Sequence, residues 1–163
     1  MKKAVLGTLL SLSMMFSSVN AGESKGEIGL AVGAVEIGTL SGTEYDLVLS
    51  TQYIFDNGIL VGIATDVGFA KLDEATDNIY VVDADLQLGY AYKEFSIYGF
   101  GTIMSNGNDT YSAYGLGGGA GLKYQPFRHL SLSVEYKSVP SMEDEYGFTY
   151  DYSLARAAIK YVF

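Results

Sequence analysis

The 163-residue chain has no cysteine, no tryptophan, two prolines and one histidine. Without cysteine there is no disulfide framework, no thiol nucleophile and no sulfur-ligated metal centre. A single histidine leaves almost no material for imidazole catalysis. Bases are scarce too: 10 Lys and Arg stand against 19 Asp and Glu, a formal charge of −9. That balance excludes the basic footprint that nucleic-acid binding demands. After the first twenty or so residues no uninterrupted apolar run is long enough to cross a bilayer as a helix. What is plentiful is glycine (20), tyrosine (14) and phenylalanine (8), the composition of a β protein rich in aromatics.

The one sustained apolar stretch opens the chain and has the layout of a secretory signal. Lys2 and Lys3 form a positive start, residues 4–16 an apolar centre, and Val19-Asn20-Ala21 a small-residue cleavage site. The centre is too short to span a bilayer, and no cysteine near the cut is available for a lipid anchor. The expected organisation is a signal peptide at 1–21 and one domain at 22–163. Removing 21 of the 163 residues leaves 142, and losing two lysines moves the formal charge from −9 to −11.

Within that domain, alternation with a period of two recurs about eight times, each run ended by turn residues, and no segment has a helical period. The first strand is expected over 27–36, with Ile28, Leu30 and Val32 opposite Gly29, Ala31 and Gly33. The second, 44–55, sets Tyr45, Leu47, Leu49, Tyr53 and Phe55 against Asp46, Ser50 and Gln52. Asp56-Asn57-Gly58 makes a tight turn with Gly58 left-handed. The third, 59–69, opposes Ile59, Val61, Ile63, Val67 and Phe69 to Gly62, Ala64, Asp66 and Gly68. The fourth, 80–92, is the cleanest: Tyr80, Val82, Leu86, Leu88, Tyr90 and Tyr92 face one way, Asp83, Asp85 and Gln87 the other. The fifth, 95–104, carries no charge on either face. A two-residue Lys93-Glu94 turn turns Tyr98 and Phe100 to the polar side, and a bulge reverses that. The sixth, 111–124, lines up Gly115, Gly117, Gly119 and Gly121, leaving space that those two rings could fill. The seventh opposes Leu130, Leu132, Val134 and Tyr136 to Ser131, Ser133, Glu135 and Lys137. The eighth, 150–163, opposes Ala155, Ala157, Ile159, Tyr161 and Phe163 to Arg156 and Lys160.

Such alternation suits either a soluble sandwich or a membrane barrel, and length separates them. Strands near eleven residues match a tilted membrane span and exceed the usual soluble length of five or six. The apolar rows then face lipid and the polar rows a lumen. Connections after strands two, four and six are short (56–58, 93–94, 125–129). Those after one, three, five and seven are expected to be longer or more polar, notably 71–78, 105–110 and 138–149. Tyr53, Phe55, Tyr90, Tyr92, Phe95, Tyr124, Phe127, Tyr161 and Phe163 gather near the short-turn end as an aromatic girdle.

The signal peptide, the eight alternating strands and the Ile159-x-Tyr161-x-Phe163 ending resemble the small eight-stranded outer-membrane β-barrels of the OmpA membrane domain, OmpX and opacity-protein type. The resemblance covers essentially all of 22–163. It implies an all-β, up-and-down antiparallel transmembrane barrel in the outer membrane of a Gram-negative bacterium, with both termini periplasmic. Expected partners are outer-membrane lipid and lipopolysaccharide, with the barrel-assembly machinery engaging the terminal strand through Ile159, Tyr161 and Phe163. The chain stops where the barrel does, so the peptidoglycan-binding domain of OmpA-like proteins has no counterpart here.

Motifs for chemistry are thin, and no catalytic residue, cofactor or metal is expected. His129 has Ser131, Ser133 and Glu135 nearby in sequence, but it sits at a turn and suits an interfacial connection better than a catalytic triad. Gly115-x-Gly117-x-x-Ala120 matches a loose dinucleotide fingerprint without the helix that would present its N-terminus. Asp83-x-Asp85 lies mid-strand without the glycine of a calcium loop. Asn108-Asp109-Thr110 matches a glycosylation sequon of little weight. The stronger pattern is the set of charges on the lumen parity: acids Asp46, Asp66, Asp83, Asp85 and Glu135, bases Lys123, Lys137, Arg156 and Lys160. Eight strands leave an interior that side chains fill, and desolvated charges there must pair. An ionic plug is expected, structural or, if its pairs exchange, a gate. The acids Asp73, Glu74, Asp77, Asp109, Glu143, Asp144 and Glu145 crowd the opposite rim, either solvated or bridged by divalent ions to lipopolysaccharide. The expected function is an envelope-integrity or surface-interaction protein. A narrow channel for small solutes or ions is the alternative, and a soluble lipocalin-like carrier is less favoured because the polar residues share the inner face.

Overall fold

A computed structural model describes residues 22–73, 78–108 and 112–163. Eight strands follow one another: β1 Gly22–Ile37, β2 Leu40–Phe55, β3 Ile59–Leu72, β4 Ile79–Tyr92, β5 Phe95–Gly107, β6 Ser112–Phe127, β7 Leu130–Asp144 and β8 Thr149–Val162. Each pairs antiparallel with its sequence neighbours, and β1 closes on β8 from Glu27↔Val162 to Ile37↔Tyr152. Closure leaves no free sheet edge along the paired part of the wall. The signal peptide expected at 1–21 lies outside the described residues.

Period-two alternation sets which way each side chain points, and the wall follows the sequence pattern closely. Leu30, Leu86, Leu88, Ile103, Leu116 and Ile159 face outward and are exposed, while Asp46, Asp66, Asp85 and Arg156 face inward and are buried. Between the two rims, the outer face carries no charged residue among those described. Tyr53 is an exception to the expected girdle. It keeps the outward parity of Phe55 but is only 4% exposed, because its ring packs edge-on to Phe55 at 4.9 Å and lies over Gly22, whose added Cβ would fall 2.8 Å from it.

The connections differ from expectation at one end. The β1–β2 connection is a two-residue turn, Gly38-Thr39, with Gly38 at φ 61°, rather than a long loop. β5 continues to Gly107 and β7 to Asp144, so 105–107 and 138–144 are wall rather than loop. The cause is backbone pairing, which continues past the point where apolar alternation stops. At Pro140-Ser141 the β7 ladder slips, with Ser141 at φ 54°, and the β6–β7 register shifts between Tyr114 and Gly118. At the other end 56–58, with Gly58 at φ 86°, and the pair Lys93-Glu94 are turns as expected, while the third shrinks from 125–129 to Arg128-His129 because β6 continues to Phe127.

The Lys93-Glu94 turn pairs Tyr92 with Phe95 and so sends Tyr98 and Phe100 into the lumen. They lie against the glycine row of β6. A Cβ added at Gly121 would meet the Tyr98 ring at 2.6 Å, and one at Gly119 would meet the Phe100 ring at 2.5 Å. Glycine is required here for space, not for backbone freedom. Gly121→Ala should therefore cost about 1–3 kcal/mol by overpacking, whereas Gly101→Ala, with nothing within 4 Å, should be close to neutral. Urea unfolding of the two variants in detergent, followed by gel mobility, checks the contrast; equal midpoints would contradict the packing.

Candidate functional site in the barrel lumen

The lumen is stratified along the barrel axis. At the short-turn end, Lys123 Nζ lies 2.9 Å from Glu27 Oε1 and also donates to Gln52 Oε1. Gln52 Nε2 in turn donates to Gln87 Oε1 at 2.8 Å. Glu27 collects further donors from Ser50 at 3.1 Å and Ser131 at 3.4 Å, with Lys160 at 3.9 Å.

The middle layer is the densest. Arg156, on β8, spreads its guanidinium over three acids: Glu135 at 2.5 Å, Asp66 at 2.6 Å and Asp46 at 3.2 Å. The β7–β8 register puts Glu135 directly opposite Arg156, while Asp46 and Asp66 reach in from β2 and β3. Glu135 is also held by the Tyr98 hydroxyl at 2.5 Å and by Lys160 at 3.5 Å. Lys137 sits among Asp83 at 2.6 Å, Asp85 at 3.2 Å and Asp66 at 3.4 Å, with the Phe100 ring centroid 5.6 Å from its ammonium. All nine lumen charges expected from sequence are at most 7% exposed. Arg156 and Lys137 share Asp66, which ties both clusters into one network.

Two buried acids escaped the sequence reading, and parity could have found both. Glu27 shares the inward register of Gly29 and Ala31, and Glu44 that of Asp46. Among the described residues Glu44 has no base within salt-bridge distance; the Tyr152 hydroxyl donates to it at 2.8 Å. Tyr152 belongs to the third layer, an apolar disc formed by Val35, Ile37, Ala70, Leu72, Ile79, Val81, Met104, Ala113, Val139, Met142, Tyr152 and Leu154, with Leu40 and Tyr150 against it. Seven strands contribute to this disc and β2 adds Leu40 at its edge, so that it fills the lumen at the loop end. An apolar-out, polar-in rule does not reveal it, since near the loop end the inward residues turn apolar and outward ones such as Glu36, Lys71, Asp151 and Ser153 turn polar.

The remaining expected features lie elsewhere. His129 is exposed at its turn, stacked on Tyr161 at 5.5 Å, with Nδ1 donating to the Val162 carbonyl at 2.9 Å. Ser131 is buried against Glu27, and Glu135 is committed to Arg156, so no triad assembles. Gly115 and Gly117 lie in a strand, with no helix after them. Ile159, Tyr161 and Phe163 face outward and are exposed. Of the rim acids, Asp73, Glu143, Asp144 and Glu145 lie at the loop end, joined by Glu36 and Asp151; Glu74, Asp77, Asp109 and the sequon at Asp109 fall outside the described residues. Asp144 Oδ1 accepts from the Tyr146 and Phe148 amides at 2.9 and 2.8 Å, ordering the β7–β8 tip.

These features define a small, closed, eight-stranded β-barrel with an apolar outer wall and a lumen filled by paired charges. The fold is that of the small eight-stranded outer-membrane barrels. Neisserial surface protein A is similar at 15% identity and a TM-score of 0.60, over 86% of this chain and 97% of that one. Ail, the attachment invasion locus protein of Yersinia pestis, solved with the heparin analogue sucrose octasulfate, is similar at 16% identity and 0.59, over 88% and 99%. OprG of Pseudomonas aeruginosa gives 14% and 0.50, over 88% and 96%. No protein-family model and no curated protein matches the chain.

Removing one partner from a buried ion network leaves the others desolvated and unpaired, at a cost of about 3–5 kcal/mol. Arg156→Met should therefore lower the unfolding free energy by that amount, since Asp46, Asp66 and Glu135 all lose their shared cation. Lys25→Ala, at the rim beside Glu23 and Gln125, should cost under about 1 kcal/mol. Equilibrium urea titration in lipid vesicles separates the two; similar losses would refute the network's role in stability.

Proposed function

We propose that the chain is an integral outer-membrane barrel of a Gram-negative envelope, secreted by way of residues 1–21, with both termini periplasmic. It acts as a closed structural and surface-interaction element rather than as a pore or an enzyme. The observation that carries this reading is the double seal: a layer of cross-linked buried charges with a twelve-residue apolar disc stacked above it. An ion crossing such a lumen would have to shed its hydration, break the pairs and enter an apolar layer, each step costing several kcal/mol.

The distribution of charge supports the orientation. Among the described residues the loop end carries Glu36, Asp73, Glu143, Asp144, Glu145 and Asp151 against Lys71 alone, while the short-turn end balances Lys25, Lys93 and Arg128 with Glu23, Asp56 and Glu94. An acidic loop rim disfavours polyanions such as the sulfated sugar bound by the Yersinia protein. It favours cationic segments, or divalent ions bridging to lipopolysaccharide phosphates. The uncharged outer band meets lipid, and the exposed Ile159, Tyr161 and Phe163 row is available to the assembly machinery during insertion.

The test is planar-bilayer recording on the folded chain 22–163, alongside heat-modifiable gel mobility. The expected result is a heat-modifiable barrel with no steady conductance. In the variant Val139→Ser with Met142→Ser, which makes the disc polar, conductance should still be absent because the ionic layer remains. Stable steps in the wild type, altered by Arg156→Ala, would overturn the sealed reading and make the network a gate.

A further inference from the structure

The lumen holds more negative than positive groups. Seven buried carboxylates (Glu27, Glu44, Asp46, Asp66, Asp83, Asp85, Glu135) face four buried bases (Lys123, Lys137, Arg156, Lys160). A surplus of that kind in a desolvated interior is relieved either by protonation of some carboxyls or by further positive charge. The surplus is most concentrated around Asp66, Asp83 and Asp85, three fully buried residues that each place a carboxylate oxygen within 4.8 Å of the others.

Their oxygens divide into two sets. The Oδ2 atoms of all three turn toward Lys137, at 3.4, 2.6 and 3.2 Å. The Oδ1 atoms of all three are buried and have no hydrogen-bond partner. Thr102 is the cross-strand partner of Asp85 and shares its inward parity; it is 3% exposed and its Oγ1 is likewise unpartnered. Lys137 therefore faces three carboxylates, of which only Asp66 has a second cation in Arg156 at 2.6 Å, and four buried oxygens around them have no hydrogen-bond partner.

We propose that this cluster holds one hard divalent cation beside Lys137, bound by carboxylate oxygens of Asp66, Asp83 and Asp85 with the Thr102 hydroxyl as a further donor. An all-oxygen donor set without histidine or sulfur selects hard cations over zinc or copper. Hydration favours calcium. Magnesium keeps several of its waters, for which a lumen packed with side chains has little room. The ion would cross-link β3, β4 and β5 from inside the wall and offset part of the charge surplus. With a disc above and paired side chains below, it enters while the barrel folds.

The experiment is to refold chain 22–163 in detergent with calcium, remove free metal by gel filtration, and measure retained calcium by atomic absorption. One ion per chain is expected for the wild type and for Glu143→Gln with Glu145→Gln, which removes rim acids. Asp83→Asn with Asp85→Asn should lose it while still running as a heat-modifiable barrel. Failure of the wild type to retain calcium, retention by the Asn variant, or loss in the rim variant overturns the proposal. If the Asn variant does not fold, Lys137→Met decides. Removing the adjacent ammonium should tighten calcium binding about tenfold or more and make the melting temperature rise with calcium. A melting temperature in that variant indifferent to calcium overturns the site.

Discussion

The rest of the structure depends on one constraint: a closed barrel of eight strands has an interior that must be filled with side chains, and the chain's polar parity faces that interior. Along most of the wall alternation puts the apolar rows on one side and the charged rows on the other. With the apolar side outward, the charges are driven into a space too narrow for bulk water. They persist there only by pairing. Arg156 answers three acids at once and Lys137 another three, with Asp66 common to both. The planar guanidinium suits this role, since its fork of donors can meet several carboxylates from one fixed position.

Strand placement follows from that need for pairing. Glu135 and Arg156 face each other in the β7–β8 register, so their contact is local to one ladder. Asp46, Asp66, Asp83 and Asp85 come from β2, β3 and β4 and meet the bases of β7 and β8 only across the lumen. Acids on one half of the wall and bases on the other thus pull the barrel together through its centre. The glycine row of β6 belongs to the same design. By leaving out side chains opposite Tyr98 and Phe100, it gives two large rings a place beside the network, where the Tyr98 hydroxyl holds Glu135.

The layering gives the lumen a direction. The short-turn end is polar and amide-rich around Glu27, Gln52, Gln87 and Lys123, the middle is ionic, and the loop end is apolar. Glu44 sits at the last boundary, hydrogen-bonded to a tyrosine that belongs to the disc. A channel would need polar lining from end to end. This interior instead ends in aliphatic and thioether side chains drawn from all eight strands.

The sequence by itself determined the number of strands, the face of nearly every residue and nine of the eleven buried lumen charges, because a period of two needs no knowledge of neighbours. Asp56-Asn57-Gly58 carries its own turn geometry, whereas at Lys93-Glu94 the choice between a turn and a bulge was made by the pairing of Tyr92 with Phe95. The sequence left the upper strand ends open, because near the loop end the apolar-out, polar-in pattern breaks down while backbone pairing continues; β7 runs on through Pro140 to Asp144 for that reason. Only the tertiary structure decided which acid meets which base, since Arg156 reaches Asp46 across 110 residues of chain. The apolar disc was likewise decided by closure, which brings Val35, Leu72, Met104 and Met142 to one level, a neighbourhood that no local pattern encodes. Tyr53 makes the same point in miniature. Its parity was legible, but its burial depends on Phe55 and Gly22, which only the paired wall brings against it.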